Sequence, residues 1–319
     1  MSQPLHAWSS HQFPLPLPPG HRFPVAKYQR LLTRLLDDGV LAPEHLHHSE
    51  PAPESWLTLA HDPDYVAKVA RGELSPAEIR VLGLPWSPEL VNRARGACYG
   101  TVLASFAAIE HGVAGNLAGG SHHAFRDRAE AYCVFNDIAV AIAVLRRNGL
   151  ARRPLVMDLD VHQGNGTAAM FEHDPSVFTL SIHGASNYPA RKERSTLDVA
   201  RPDGDDDAAY LAALDEHLPR ALEAHAPDLV YYQAGVDALA EDRLGRLELT
   251  HAGLAERDRR VFACCEALDV PVVITLGGGY GEPLDASIEA HANVWREARQ
   301  ARDRRPARDD RAIEIPAIR

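Results

Sequence analysis

Short apolar runs and longer amphipathic stretches alternate through the middle of the chain. Leu155-Val156-Met157 runs into Asp158, Val177 to Ile182 ends at His183, and Leu229 to Tyr232 leads to Gly235-Val236-Asp237. Val272 to Leu276 ends in Gly277-Gly278-Gly279-Tyr280, and a weaker run, Gly115 to Ala118, ends in Gly119-Gly120-Ser121-His122-His123. Runs this short, apolar at successive positions, predict strands buried on both faces of a parallel sheet. Helix signals lie between them. Residues 96–111 are Ala-rich, Asn136 can cap a helix that closes at Gly149, one of Asp205 to Asp207 can cap a helix reaching about Ala224, and Thr250 can cap one over roughly 251–268. This alternation predicts an α/β fold with helices on both faces of the sheet. No internal repeat breaks it.

Composition narrows the class. The 319 residues are 45% hydrophobic and 24% charged, ordinary for a globular protein. A net charge of −11 argues against a protein held mainly by nucleic-acid phosphates. No apolar run reaches the roughly 18 residues a membrane helix needs, and the Pro-rich start lacks the basic and apolar regions of a secretory signal. A cytoplasmic location is therefore expected, with Cys98, Cys133, Cys264 and Cys265 as free thiols. The 17 histidines are about twice ordinary usage and direct attention to metal binding and proton transfer.

In open parallel sheets, sites form beyond the carboxyl ends of the strands. Here those ends carry His122, His123, Asp158, Asp160, His162, His183, Asp237 and Tyr280. In Asp158-x-Asp160-x-His162 the alternation of a strand points all three side chains one way. Paired buried carboxylates repel unless a cation or proton offsets them, so a metal beside Asp160 and His162 is the economical solution, with Asp237 as a third ligand. A turn or capping cluster is the competing explanation. His122 and His123 point apart on extended backbone, which suits two jobs: a proton acceptor and its electrostatic support. The glycines before Tyr280 leave backbone room for a substrate, and its hydroxyl can donate to a developing oxyanion. His45, His47 and His48 read as a solvated polar stretch, and His111, His217 and His225 as helix-end residues with no ligand role.

At these residues the sequence resembles the zinc-dependent histone deacetylases of the arginase–deacetylase superfamily. GGSHHAF (119–125), DLDVHQGNG (158–166), AGVDAL (234–239) and GGGYG (277–281) match its signature in order, and PPGHRFPVAKY (18–28) and HDPDYV (61–66) extend the likeness over roughly 15–298. HQGNG and RKERSTLDV (191–199) look most like the class IV branch and its bacterial relatives. The resemblance implies a three-layer α/β/α sandwich around a mainly parallel sheet of about eight strands, with one catalytic domain over 1–298 and a charged tail over 299–319. It implies zinc, or ferrous iron in the cell, on Asp160, His162 and Asp237. His123 becomes general base and then general acid, His122 its partner oriented by Asp158, and Tyr280 the group that polarises the acyl carbonyl. Structural potassium is implied at Asp158, Ser181 and Ile182 with the carbonyls of Asp160 and His162, and a second ion near Phe171, Asp174 and Val177. The resemblance also implies a substrate tunnel lined by Tyr132, Tyr188 and Gly278.

The implied reaction is removal of an acyl group from lysine in a protein or peptide. A small acylated amine such as an acetylpolyamine is the alternative substrate, and a silent acyl-lysine binder the non-enzymatic one. A binuclear ureohydrolase needs further Asp ligands where this chain has Asp237-Ala238-Leu239-Ala240. No direct nucleic-acid or membrane partner is implied, and the oligomeric state is not legible. Two departures stand out. Asn165 occupies a position where some members carry Asp, leaving His123 without a carboxylate partner. Ala131-Tyr132 replaces the usual Gly-Phe pair, and the added methyl and hydroxyl narrow the tunnel or change its polarity.

Overall fold

The computed structural model describes residues 4–305. Among these residues there are eight strands: β1 (His6–Ser9), β2 (Leu46–His48), β3 (Val113–Asn116), β4 (Pro154–Asp158), β5 (Phe178–Gly184), β6 (Leu197–Arg201), β7 (Leu229–Gln233) and β8 (Val272–Thr275). They form one sheet in the order β2-β1-β3-β8-β7-β4-β5-β6, and every pairing is parallel. All the carboxyl ends therefore open on one edge. The α-helices are α1 (Ala26–Asp37), α2 (Glu54–Leu57), α3 (Pro63–Arg71), α4 (Pro76–Leu82), α5 (Pro88–His111), α6 (Asp137–Arg147), α7 (Asn165–Phe171), α8 (Asp207–His225), α9 (His251–Ala267) and α10 (Leu284–Arg304).

The central strands are apolar at successive positions because both their faces are covered. Leu155 and Met157 of β4, Val230 and Tyr232 of β7, and Val272 and Ile274 of β8 pack with α1, α8, α9 and α10. Their alternates Val156, Leu229, Tyr231 and Val273 pack with α2 to α6 on the other face. The fold is thus the expected three-layer sandwich with eight strands. Asn136, Asp206 and Thr250 accept hydrogen bonds from the first-turn amides of α6, α8 and α9, as their positions suggested. Three expectations are corrected. The Ala-rich helix begins at Pro88, because Ser87 caps it. His47 is half-buried rather than freely solvated: it joins β2 at the sheet edge and stacks on Trp8 with ring centroids 4.5 Å apart. The boundary at 298/299 falls inside α10, whose Ala301 and Arg302 are buried; residues 306–319 of the expected tail lie outside the described residues. The four cysteines are free, and among the described residues no helix is long and apolar enough to cross a membrane.

One buried histidine makes the fold acid-sensitive. His61, 1% exposed, accepts the Asn136 N–H at Nε2 (2.9 Å) and turns Nδ1 to the Arg126 carbonyl (3.3 Å). Accepting the Asn136 N–H requires Nε2 to be unprotonated, whereas the bond to the Arg126 carbonyl survives in either form, and burial pushes the pKa of the ring down to about 4. The unfolded chain takes up this proton near pH 6.5, so the stability His61 contributes is present above that pH and is lost as pH falls toward 4. In urea titrations the wild type is expected to lose roughly 2 kcal/mol of its advantage over His61→Gln between pH 7.5 and pH 5. A gap that does not change with pH would exclude this role.

Candidate active site

Four central loops meet beyond the carboxyl edge. The loop after β3 carries His122 and His123. Its approach is fixed by Asp137 of α6, whose carboxylate accepts the Gly120 and Ser121 amides at 3.1 and 2.7 Å. β4 ends at Asp158, so strand alternation stops there and the motif divides. Asp158 Oδ2 meets His122 Nδ1 at 2.7 Å, whereas Asp160 and His162 turn toward Asp237 after β7. His162 Nδ1 lies 3.1 Å from Asp160 Oδ1 and 3.0 Å from Asp237 Oδ2.

The donor atoms of Asp160, His162 and Asp237 lie within 4.8 Å of one another, and all three residues are buried. One imidazole nitrogen carries at most one proton and cannot satisfy both carboxylates at once. Burial and the neighbouring Asp160 push the Asp237 carboxyl up to about 7. A divalent cation among the three removes both conflicts, and one neutral imidazole with two carboxylates is a fitting donor set for zinc. The backbone is shaped to hold the group. Asp237 Oδ1 accepts the Val161 amide at 2.9 Å and Asp160 Oδ2 the Gly278 amide at 2.7 Å. A Cβ at Gly278 would stand 1.9 Å from Asp237 Oδ2, so only glycine fits there.

The two histidines differ in polarity. Burial disfavours the charged form of His122, but Asp158 and Asp160 outweigh it and raise its pKa to about 9. His123 is held well below the ordinary value by burial, then by the positive charge of His122 and His162. Its Nδ1 lies 2.6 Å from Asn165 Oδ1. The carboxylate expected to be missing stands one residue further back: Asn165 Nδ2 donates to Glu130 Oε1 at 2.7 Å, and Tyr188 donates to the same oxygen. A carboxylate only accepts, so Glu130 fixes the Asn165 amide with Oδ1 toward His123. His123 must then carry its proton on Nδ1, leaving Nε2 unprotonated.

Tyr280 completes the cavity. Its amide donates to Asp242 Oδ2 (2.5 Å), and burial raises its hydroxyl far above the usual range. The Tyr188 ring stands edge-on to His123 at 5.2 Å, and the Tyr132 ring lies 6.3 Å from that of Tyr280. Ala131 and Tyr132 both adopt left-handed backbone, at φ 44° and 69°. Their amides donate to the Val81 and Leu82 carbonyls of α4 at 3.1 and 2.6 Å. The cavity holds about 450 Å³, and His122, His123, Asp160, His162, Asp237, Gly278, Tyr280, Tyr132 and Tyr188 all line it.

The remaining sequence candidates lie apart. Ser181 pairs with Asp158 across β4 and β5, and its Oγ lies 2.9 Å from His183 Nδ1; Ile182 is buried beside it. His183 does not line the cavity. Phe171, Asp174 and Val177 border a different hollow, where the Phe171 and Asp174 carbonyls accept the Asp174 and Val177 amides at 2.9 and 3.1 Å.

Sequence reasoning missed four residues. Lys27 donates to the Gly277 carbonyl at 3.0 Å, and burial lowers its pKa to about 8 against the pull of Asp237, Asp160 and Asp242. Arg257, paired with Asp258 at 2.8 Å, donates to the carbonyls of Gly235 (2.7 Å) and Leu159 (3.3 Å), beside the ligand loops. Asp242 and Glu130 are the others.

Residues 21–297 match the histone deacetylase domain. The chain belongs to the histone deacetylase family. It is 30% identical to histone deacetylase 2 of Arabidopsis thaliana over 82% of this chain and 70% of that one. An uncharacterised Picosynechococcus protein is 45% identical over 89% of this chain and 95% of its own length. Among solved structures, the homologue from Aquifex aeolicus superposes with a TM-score of 0.80 at 26% identity, covering 93% of this chain and 84% of that one. A family homologue complexed with SAHA gives 0.79 at 25% identity, with the same coverage. The family supports an amidohydrolase of the deacetylase type.

Proposed function

We propose that this family member hydrolyses acyl-lysine amides in proteins or peptides, with zinc held by Asp160, His162 and Asp237. The observation that carries this reading is the convergence in one cavity of three metal donors, two histidines of opposite polarity and a buried tyrosine. Zinc there would act as a Lewis acid and lower the pKa of a nearby water; ferrous iron suits the same donors. His123, neutral and protonated at Nδ1, takes a proton from the attacking water at Nε2. It then delivers that proton to the leaving amine nitrogen. His122, held as a cation by Asp158, stabilises the negative charge that develops beside it. Tyr280 donates to the acyl oxygen as that atom gains charge. Tyr132 and Tyr188 flank the lysine methylenes, and Gly278 leaves room beside them. Structural potassium is proposed at Asp158, Ser181 and Ile182, and at the carbonyls of Phe171, Asp174 and Val177.

Glu130 acts through Asn165. Glu130→Gln frees the amide to rotate and is expected to lower kcat about three- to tenfold with little change in KM. In an Asn165→Asp background the same substitution should raise kcat, because it removes a carboxylate facing the new one. A loss of equal size in both backgrounds would show a structural role only.

The reaction is tested by product release from lysine peptides carrying acetyl to long-chain acyl groups, with an acetylated polyamine alongside. Turnover of the peptides supports the reading. Turnover of the polyamine alone moves it to small acyl-amines, and no turnover by zinc-loaded enzyme overturns it.

A further inference from the structure

The mouth of the cavity is basic, although the chain as a whole carries −11. Arg80 and Arg246 line the cavity itself, and Arg22 and Arg243 line an adjoining hollow that shares Leu244 and Tyr280 with it. All four arginines are exposed. Among the described residues, the only acidic ones lining either space are Asp160 and Asp237, at the metal-binding floor. Two carboxylates approach from outside: Asp203 lies 3.4 Å from Arg246, and Glu282 lies 3.3 Å from Arg243. Glu130 is turned inward to Asn165 and Tyr188 and is only 13% exposed. Among the described residues, neither Arg22 nor Arg80 has a carboxylate within ion-pair distance. Two positive charges thus stand unmatched over the entrance.

We propose that this arginine rim selects acyl-lysines flanked by acidic residues and turns away polycations, a specificity that rests on the deacylase reading above. An acyl-lysine that reaches the floor leaves its neighbouring residues lying over the rim. Guanidinium forks there donate paired hydrogen bonds to carboxylates. An acetylated polyamine instead leaves its distal ammonium groups among the arginines, where like charges repel. Exposed charges interact weakly one by one, but several of one sign around a low-dielectric cleft reinforce each other.

The test uses full-length, zinc-loaded protein and acetyl-lysine peptides matched except for Glu or Lys on both sides. Binding is read by fluorescence anisotropy, and kcat/KM by product release. The Glu-flanked peptide is expected to bind and turn over about tenfold better at low salt, and the two should converge as ionic strength rises. The double variant Arg22→Glu, Arg80→Glu is expected to reverse the ranking. Equal binding of the two peptides at low salt, or an unchanged ranking in the double variant, overturns the proposal. Selective binding of the Glu-flanked peptide with no turnover of either overturns the reaction and supports the rim.

Discussion

Asp160→Asn is expected to abolish metal binding and turnover. Asparagine keeps the shape of the side chain and an oxygen for the His162 amide, which Asp160 Oδ1 accepts at 3.0 Å, but turns an amide NH2 toward the Gly278 N–H that Asp160 Oδ2 accepts at 2.7 Å. It removes one of the two negative charges that the donor group offers. Loss of a direct ligand should weaken metal affinity by more than the 10- to 100-fold typical of an outer-shell partner. Two opposing effects act on the apoprotein. In the apoprotein Asp160 and Asp237 are buried together, and their repulsion helps push the Asp237 carboxyl up to about 7. Neutralising Asp160 relieves that repulsion but removes a charge that supports His122 and His162 as cations. Zinc should then raise the melting temperature of the wild type but not of the variant. Elemental analysis with thermal unfolding, with and without zinc, checks both halves. A variant that retains about one zinc per chain would remove Asp160 from the metal site.

Tyr280→Phe should retain metal and lose turnover. The backbone of residue 280 is tied to Asp242, and its ring stands between Lys27, whose Nζ is 5.6 Å from the centroid, and Tyr132. None of these contacts needs the hydroxyl, so phenylalanine keeps the ring in place. What disappears is one buried donor, which burial keeps protonated throughout any practical assay range. Removal of a single oxyanion donor costs on the order of 10²- to 10³-fold in kcat, with KM little changed because the bond strengthens only as charge develops. Unchanged kcat would take Tyr280 out of the chemistry.

The parts of this architecture that were legible in the sequence are local. β4, β7 and β8 show as unbroken apolar runs because both their faces are covered. The Asn136, Asp206 and Thr250 caps show because each serves its own first turn. The metal donors show because they cluster at strand exits. β1, β2 and β6 are three to five residues long and carry histidine or charge, so no periodicity marks them. Glu130 and Asp242 act across the fold and leave no trace in spacing. Lys27 and Arg257 did leave one. Lys27 falls on the stripe with Leu31 and Leu35, and Arg257 on the stripe with Leu254 and Val261. A charge on an apolar helical face marks a buried partner: Lys27 reaches the Gly277 carbonyl, and Arg257, besides its pair with Asp258, reaches the carbonyls of Gly235 and Leu159 beside the metal-ligand loops.

The left-handed pair Ala131-Tyr132 hangs from the end of α4 by two backbone hydrogen bonds, and Gly83, which closes that helix, packs against the Tyr132 ring. The aromatic wall of the cavity is therefore an extension of a surface helix that itself carries a rim arginine, Arg80. Segments 75–83 and 130–133 are thus joined through both backbone and side chain. Chimeras that exchange both between relatives should carry acyl-chain preference and flank preference over together, whereas exchanging either alone should transfer neither intact.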